Sequence, residues 1–143
     1  MKRTAILRSA TAGLLVALTT QIVVAMPANL PPVEYQGNVD FLSGGIGLDE
    51  STAIKGVMQN YPLVLEFAGK SNRGNEYLSD VPVQVSDMQG HVLLTTTARG
   101  PFLLASLPNG HYSVSVRYDG KTQRRDVTLT SSAHVHALFL WPM

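Results

Sequence analysis

The stretch that decides the fold is GPFLLASLPNGHYSVSV, Gly100 to Val116. A Gly-Pro break opens it, an apolar run follows, and Pro108-Asn109-Gly110 then turns the chain. Proline presets φ for such a turn and glycine accepts the left-handed position. Beyond the turn the pattern alternates strictly. Tyr112, Val114, Val116 and Tyr118 fall on one side, and His111, Ser113, Ser115 and Arg117 on the other. Period two with one apolar side is the signature of a strand that buries one face. Phe102, Leu104, Tyr112, Val114 and Val116 are therefore core candidates.

Working outward toward the C-terminus, Tyr118-Asp119-Gly120-Lys121 reads as a two-residue hairpin of type I′. Its register sets Tyr112 against Val127, both inward. The same register sets Val114 against Arg125 and Val116 against Gln123, which conflicts with a dry core. Either the hairpin overhangs the core or a bulge shifts the strand. The closing segment HVHALFLWP puts Val135, Ala137, Phe139 and Trp141 on one face. Leu138 and Leu140 fall on the other, as in a strand covered on both sides.

Toward the N-terminus, HVLLTTTAR and SDVPVQVSD read as two more strands. Pro82 places the second at a sheet edge or at its own start, because proline cannot donate to a ladder. KSNRGN, residues 70–75, reads as a polar loop. Leu63, Leu65 and Phe67 share a face of a further strand. Before it, Ile54, Val57, Met58 and Tyr61 form one apolar helical stripe that Pro62 ends. The helix is expected near 50–60, with Asp49 as N-cap and Glu50 favoured by the helix dipole. Gly56 costs this helix about 1 kcal/mol relative to alanine. VEYQGNVDFLSGG, residues 33–45, reads as a first strand at a sheet edge, with Gly37 as a bulge. The expected architecture is mainly β: a seven- to eight-stranded antiparallel β-sandwich with one short helix.

The first 25 residues stand apart from this domain. Lys2, Arg3 and Arg8 precede an apolar run from Ala12 to Leu18, and Val23 and Ala25 supply small residues before a cut. This is the layout of a secretory signal peptide. The run is interrupted by Thr19, Thr20 and Gln21, which argues against an anchor of roughly 20 apolar residues. Residues 26–32 form an extended leader held by Pro27, Pro31 and Pro32. Residues 33–143 form a single domain. The expected location is the periplasm or the exterior, with membrane contact only through the cleaved signal. Removing it takes three of 11 basic residues and none of the ten acidic ones, so the formal charge moves from +1 to −2. The basicity belongs to the targeting segment and points to no nucleic-acid partner. With no cysteine, neither a disulfide scaffold nor a lipid-modified cysteine is expected.

The segment from about Tyr77 to Leu140 resembles the carboxypeptidase regulatory-like domain, a small prealbumin-like sandwich related to transthyretin-type modules. Its signature of Gly, alternating apolar residues, a Pro-rich turn and Gly-x-Tyr-x-Val-x-Val stands here as RGPFLLASLPNGHYSVSV. The family's usual Asp-Gly is Arg99-Gly100, a proline is inserted before Phe102, and the turn's second proline is Asn109. The front part, SGGIGLDE with the helix, looks like that of small exported proteobacterial proteins of uncharacterised function carrying such a domain. The resemblance implies a non-catalytic module that binds a protein or an envelope component, without a cofactor.

Chemical constellations are sparse. His134 and His136 lie two apart, so on one strand they would share a face and could hold copper or zinc. They are the weak metal candidates of an alternative, ligand-binding reading; exposed polar positions are the simpler account. SGGIG before a helix could cradle an anion. It lacks the Lys-Ser/Thr of a phosphate loop, and Asp49 and Glu50 would repel an anion. No Gly-x-Ser-x-Gly elbow is present, and Ser106 and Ser113 fall within strand patterns. Arg117, Lys121, Arg124 and Arg125 cluster around one hairpin and are the candidate partner surface. Signal cleavage after Ala25 predicts that Edman sequencing of the exported protein starts at Met26. A chain that keeps residues 1–25 after export would refute the reading.

Overall fold

The computed structural model describes residues 13, 16–18, 20–22 and 29–143. Most of residues 1–25, the expected cleavage site after Ala25 and residues 26–28 of the expected leader fall outside the described residues. Among the described residues, no helix is long and apolar enough to cross a membrane.

Among the described residues, ten strands form two sheets. The first sheet is built from β1 (Glu34–Gln36), β2 (Val39–Gly44), β7 (Phe102–Ser106), β3 (Leu63–Ser71) and β10 (Val135–Pro142), in that spatial order. β4 (Gly74–Tyr77) also pairs with β3. The second sheet has the order β6 (Val92–Ala98), β5 (Val81–Asp87), β8 (Gly110–Tyr118), β9 (Lys121–Leu129). A helix, α1 (Leu48–Val57), continues into a single 3-10 turn over Met58–Asn60. The mainly-β sandwich with a short helix is thus the observed fold. The strand number is ten because two polar segments pair unexpectedly. Gly37 adopts φ of 57° and, with Asn38, turns β1 back onto β2, so it makes a hairpin rather than a bulge. Asn72 and Arg73 likewise turn β3 into β4, an exposed strand with no apolar alternation to reveal it. The sheet is also not purely antiparallel, since β10 runs parallel to β3 from Val135↔Leu63 to Pro142↔Lys70.

β3 is the axis of the first sheet. Leu63, Leu65 and Phe67 face the second sheet and join a core with Val81, Val83, Val85, Tyr112, Val114, Val116, Phe139 and Trp141. Val64, on the opposite face, packs with Leu42, Phe102, Leu104 and Ile54 of α1. The helix therefore lies on the outer face of the first sheet. Its stripe of Ile54, Val57, Met58 and Tyr61 is the one read from the sequence. Phe102 and Leu104 are core residues, but of this smaller helix-covered layer. The N-cap is Gly47 without a side-chain cap, not Asp49. Glu50 instead reaches back, and its Oε1 accepts the Gly45 N–H at 2.7 Å, satisfying a donor in the SGG crossover. Lys55 Nζ sits 5.9 Å from the Tyr77 ring and 6.0 Å from the Phe102 ring, tying the helix to the sheet.

Two alternatives that the sequence leaves open are decided here, and one expectation changes. β5 is interior, flanked by β6 and β8, and Pro82 sits where pairing to β8 has not yet begun. The helix covers β2, β7 and β3 but stops short of β10. Leu138 and Leu140 are consequently 37% and 36% exposed rather than covered. The Asp119-Gly120 hairpin keeps its simple register, with no bulge, and pairs Val114↔Arg125 and Val116↔Gln123. Both turn residues have positive φ, as type I′ requires.

The opening Gly-Pro break has a packing reason. A Cβ on Gly100 would stand 2.4 Å from the Gly44 carbonyl carbon, and the Arg99 N–H donates to Ser43 Oγ at 3.1 Å. The loop before β7 thus lies directly on the end of β2. Gly100→Ala should cost about 2–3 kcal/mol through backbone overpacking, lowering Tm by several degrees in a thermal melt. Gly56→Ala, where nothing lies within 4 Å, should raise stability by about 0.5–1 kcal/mol. Equal effects at the two glycines would refute this account.

Candidate functional site

A sandwich has two open sides where the edge strands of its sheets face each other. On one side β1 faces β6. The Gln36 side chain acts there as a backbone surrogate: its Nε2 donates to Thr95 C=O at 2.8 Å and its Oε1 accepts Thr95 N–H at 2.7 Å. Glu34 and Arg99 add an ion pair at 3.0 Å. The free edge of β6 is thereby occupied at its middle.

On the other side β9 faces β10, and here the polar residues on the inward face of β9 find their role. Val127 and Leu129 point into the core, so alternation also turns Lys121, Gln123 and Arg125 inward. Gln123 Nε2 donates to the Leu140 carbonyl at 2.6 Å. The Arg125 guanidinium lies 4.7 Å from the centroid of the Phe139 ring, covering the core with its stem and stacking its charge on the aromatic face. Trp141 Nε1 donates to the Lys121 carbonyl at 3.1 Å, and the Trp141 ring packs against Tyr118 at 5.8 Å. The hairpin overhangs the core, and the overhang bridges the two sheets.

The four basic candidates separate along this hairpin. Lys121 and Arg125 lie on the inward, seam-facing side of β9, whereas Arg124 and Arg117 lie on the outer face of the second sheet. Arg117 also borders a shallow groove lined by Pro82, Gln84, Thr97, Ser115 and Thr122. Three salt bridges occur among the described residues, Asp87–His91, Glu34–Arg99 and Glu66–His136, and none involves these four cations. Ser106 and Ser113 lie in β7 and β8, within strands as expected.

The histidines disperse. β10 begins at Val135, so His134 precedes the strand, correcting the expectation that it shares a strand face with His136. His136 Nε2 meets Glu66 Oε2 at 2.8 Å on the outer face of the first sheet. His111 Nδ1 pairs with Thr128 Oγ1 at 2.9 Å. Among the described residues no group of three His, Cys, Asp or Glu side chains could hold a metal ion. The inward placement of Gln123 and Arg125 was visible in the sequence as a register conflict. The Gln36 bridge had no local signal, since its partner Thr95 lies 59 residues away.

Asp87 terminates β5 and orders the turn into β6. Its Oδ1 accepts the N–H groups of Gln89 and His91 at 3.0 and 2.8 Å, and its Oδ2 meets His91 Nδ1 at 2.9 Å. Partial loss of water raises the carboxyl pKa, but the bonds from His91 and Gln89 outweigh this and hold it below the ordinary value of 3.8. No protein-family model matches the chain, and no curated protein matches it. Because the folded-state pKa of Asp87 is depressed, its contribution is complete above the unfolded pKa of about 3.9 and is lost as pH falls through the folded value. Urea midpoints of wild type and Asp87→Asn should therefore differ at pH 5, and the gap should narrow as pH falls below about 3.9 and through the folded-state value. A gap independent of pH would refute the assignment.

Proposed function

We propose that this chain is a non-catalytic, exported β-sandwich module of the carboxypeptidase regulatory-like kind, binding a protein or envelope component at the seam between β9 and β10. The observation that carries the reading is the juxtaposition at this seam. Lys121 and Arg125 face the seam and meet no carboxylate within 4 Å among the described residues, and β10, the strand they overhang, carries Leu138 and Leu140 exposed on its outer face. Arg125 covers Phe139 with its stem, but neither charge is neutralised, and unpaired cations along the same edge as exposed leucines suit a partner. The RGPFLLASLPNGHYSVSV segment supports the family reading as a scaffold, since its alternating residues are spent on the core. An exported location follows from the signal-like layout of residues 1–25.

The alternative, a metal site on His134 and His136, is less favoured because the His136 Nε2 is already directed at Glu66. A benzophenone side chain placed at position 121, which faces the seam, should give a discrete photo-crosslinked adduct in envelope preparations, and one placed at position 97 on β6 should not. The adduct should fade in an Arg125→Glu variant shown to fold by its thermal melt. Absence of an adduct, or identical adducts from both positions, would refute partner binding at this seam.

A further inference from the structure

We infer that β10 is a strand-addition edge for an extended partner segment in which acidic and apolar residues alternate. The inference rests on the partner-binding reading above and specifies its chemistry.

The backbone supplies the first element. The Val135 N–H donates to Pro62 C=O and the Met143 N–H to Lys70 C=O, which fixes the odd-numbered residues of β10 toward β3. Alternation turns the peptide groups of His136, Leu138 and Leu140 away from the sheet. β10 pairs with no second strand, and among the described residues only the Leu140 carbonyl on that edge is engaged, by Gln123. The opposite seam is different, because the Gln36 amide takes both peptide groups of Thr95 on the β6 edge. One edge is guarded and the other is left open, and open edges recruit extended chains.

The side chains supply the second element. A strand added beside β10 would continue the first sheet, so its residues would alternate between two environments. On the outer face they would lie beside Leu138 and Leu140, which calls for apolar side chains. On the inner face they would lie beneath the overhang of β9, where Lys121 and Arg125 point, which calls for carboxylates. Nearby acidic groups do not cancel this field. Glu66 is hydrogen-bonded to His136, Asp126 is on the far face of β9, and Asp119 is at the hairpin tip. An anionic bilayer would meet the cations but would leave the peptide groups of His136 and Leu138 without partners, so a polypeptide is the better match.

The test uses the exported protein with fluorescein-labelled ten-residue peptides in an anisotropy titration. An alternating Glu-Val peptide should bind at least about tenfold more tightly than an alternating Lys-Val peptide. The same acidic peptide N-methylated at every second residue should lose about tenfold, because it cannot donate to the edge. Leu138→Glu should weaken the acidic peptide about tenfold, and Thr97→Glu, on the β6 edge, should leave it unchanged; thermal melts verify that both variants fold. Equal binding of acidic and basic peptides overturns the inference, as does insensitivity to N-methylation or to Leu138→Glu. Binding to phosphatidylglycerol vesicles without binding to the acidic peptide also overturns it, in favour of a lipid surface. If cross-linking from position 121 persists in Leu138→Glu while the peptides do not bind, strand addition fails and partner binding stands. Failure of both cross-linking and peptide binding removes the two together.

Discussion

The peptide groups of Phe67 are the joint on which the first sheet depends. The Phe67 N–H donates to the Pro101 carbonyl at 2.9 Å, and its own carbonyl accepts the Leu78 N–H at 3.1 Å. One residue of β3 thus divides its two hydrogen bonds between the chain entering β7 and the chain leaving β4. Before Phe67, β3 pairs with β7; beyond it, the same edge pairs with β4. The opposite edge pairs with β10 throughout. The Phe67 ring is fully buried and lies 6.1 Å from Phe139 and 6.5 Å from Trp141, both carried by β10. The same residue therefore fixes where two strands exchange places and anchors the aromatic cluster that seats the last strand. Pro101 suits this place, because its carbonyl is needed and an N–H is not.

From that joint the rest of the molecule follows by coverage. The first sheet buries both faces over β2, β7 and β3, one against the second sheet and one against α1. At β10 the outer cover ends. The second sheet has a single buried face, and its outer side is a run of Ser, Thr, Gln and Arg. Two seams remain where the sheets' edges meet, and each is bridged by a glutamine: Gln36 to Thr95 and Gln123 to Leu140. The Tyr112 hydroxyl closes the fold at another point by donating to Pro108 C=O at 2.7 Å, which pins the turn between β7 and β8. Burial, and then the charge of Asp87, hold this hydroxyl above its ordinary pKa.

What the sequence reveals here is what local alternation controls. The strands from Leu63, Val81, Val92, Phe102, Gly110, Lys121 and Val135, the helical stripe and the type I′ hairpin are each written in neighbouring residues. β1 and β4 are three and four residues long, polar, and defined only by the chain they fold back upon. The parallel pairing of β10 with β3 connects segments some 70 residues apart and leaves no periodic mark. The same limit applies to the candidate site. The hairpin's basic group was legible as composition. Its separation into seam-facing Lys121 and Arg125 and outward Arg117 and Arg124 depends on the register of β8 and β9 and on where β10 comes to rest.

The register conflict in β9 is thereby resolved as a division of labour along one strand. Val127 and Leu129 obey the core pattern; Arg125, Gln123 and Lys121 break it progressively toward the hairpin tip. A local rule broken inside an otherwise consistent strand marks either an error of reading or a functional position. Here the register is as read and every inward residue has a defined neighbour: Phe139 for Arg125, the Leu140 carbonyl for Gln123, and Trp141 at the Lys121 backbone. Apolar residues at these positions would have sealed the seam more simply. Polar residues hold the two sheets together while keeping cations beside an unpaired strand edge, a combination that stability alone does not require.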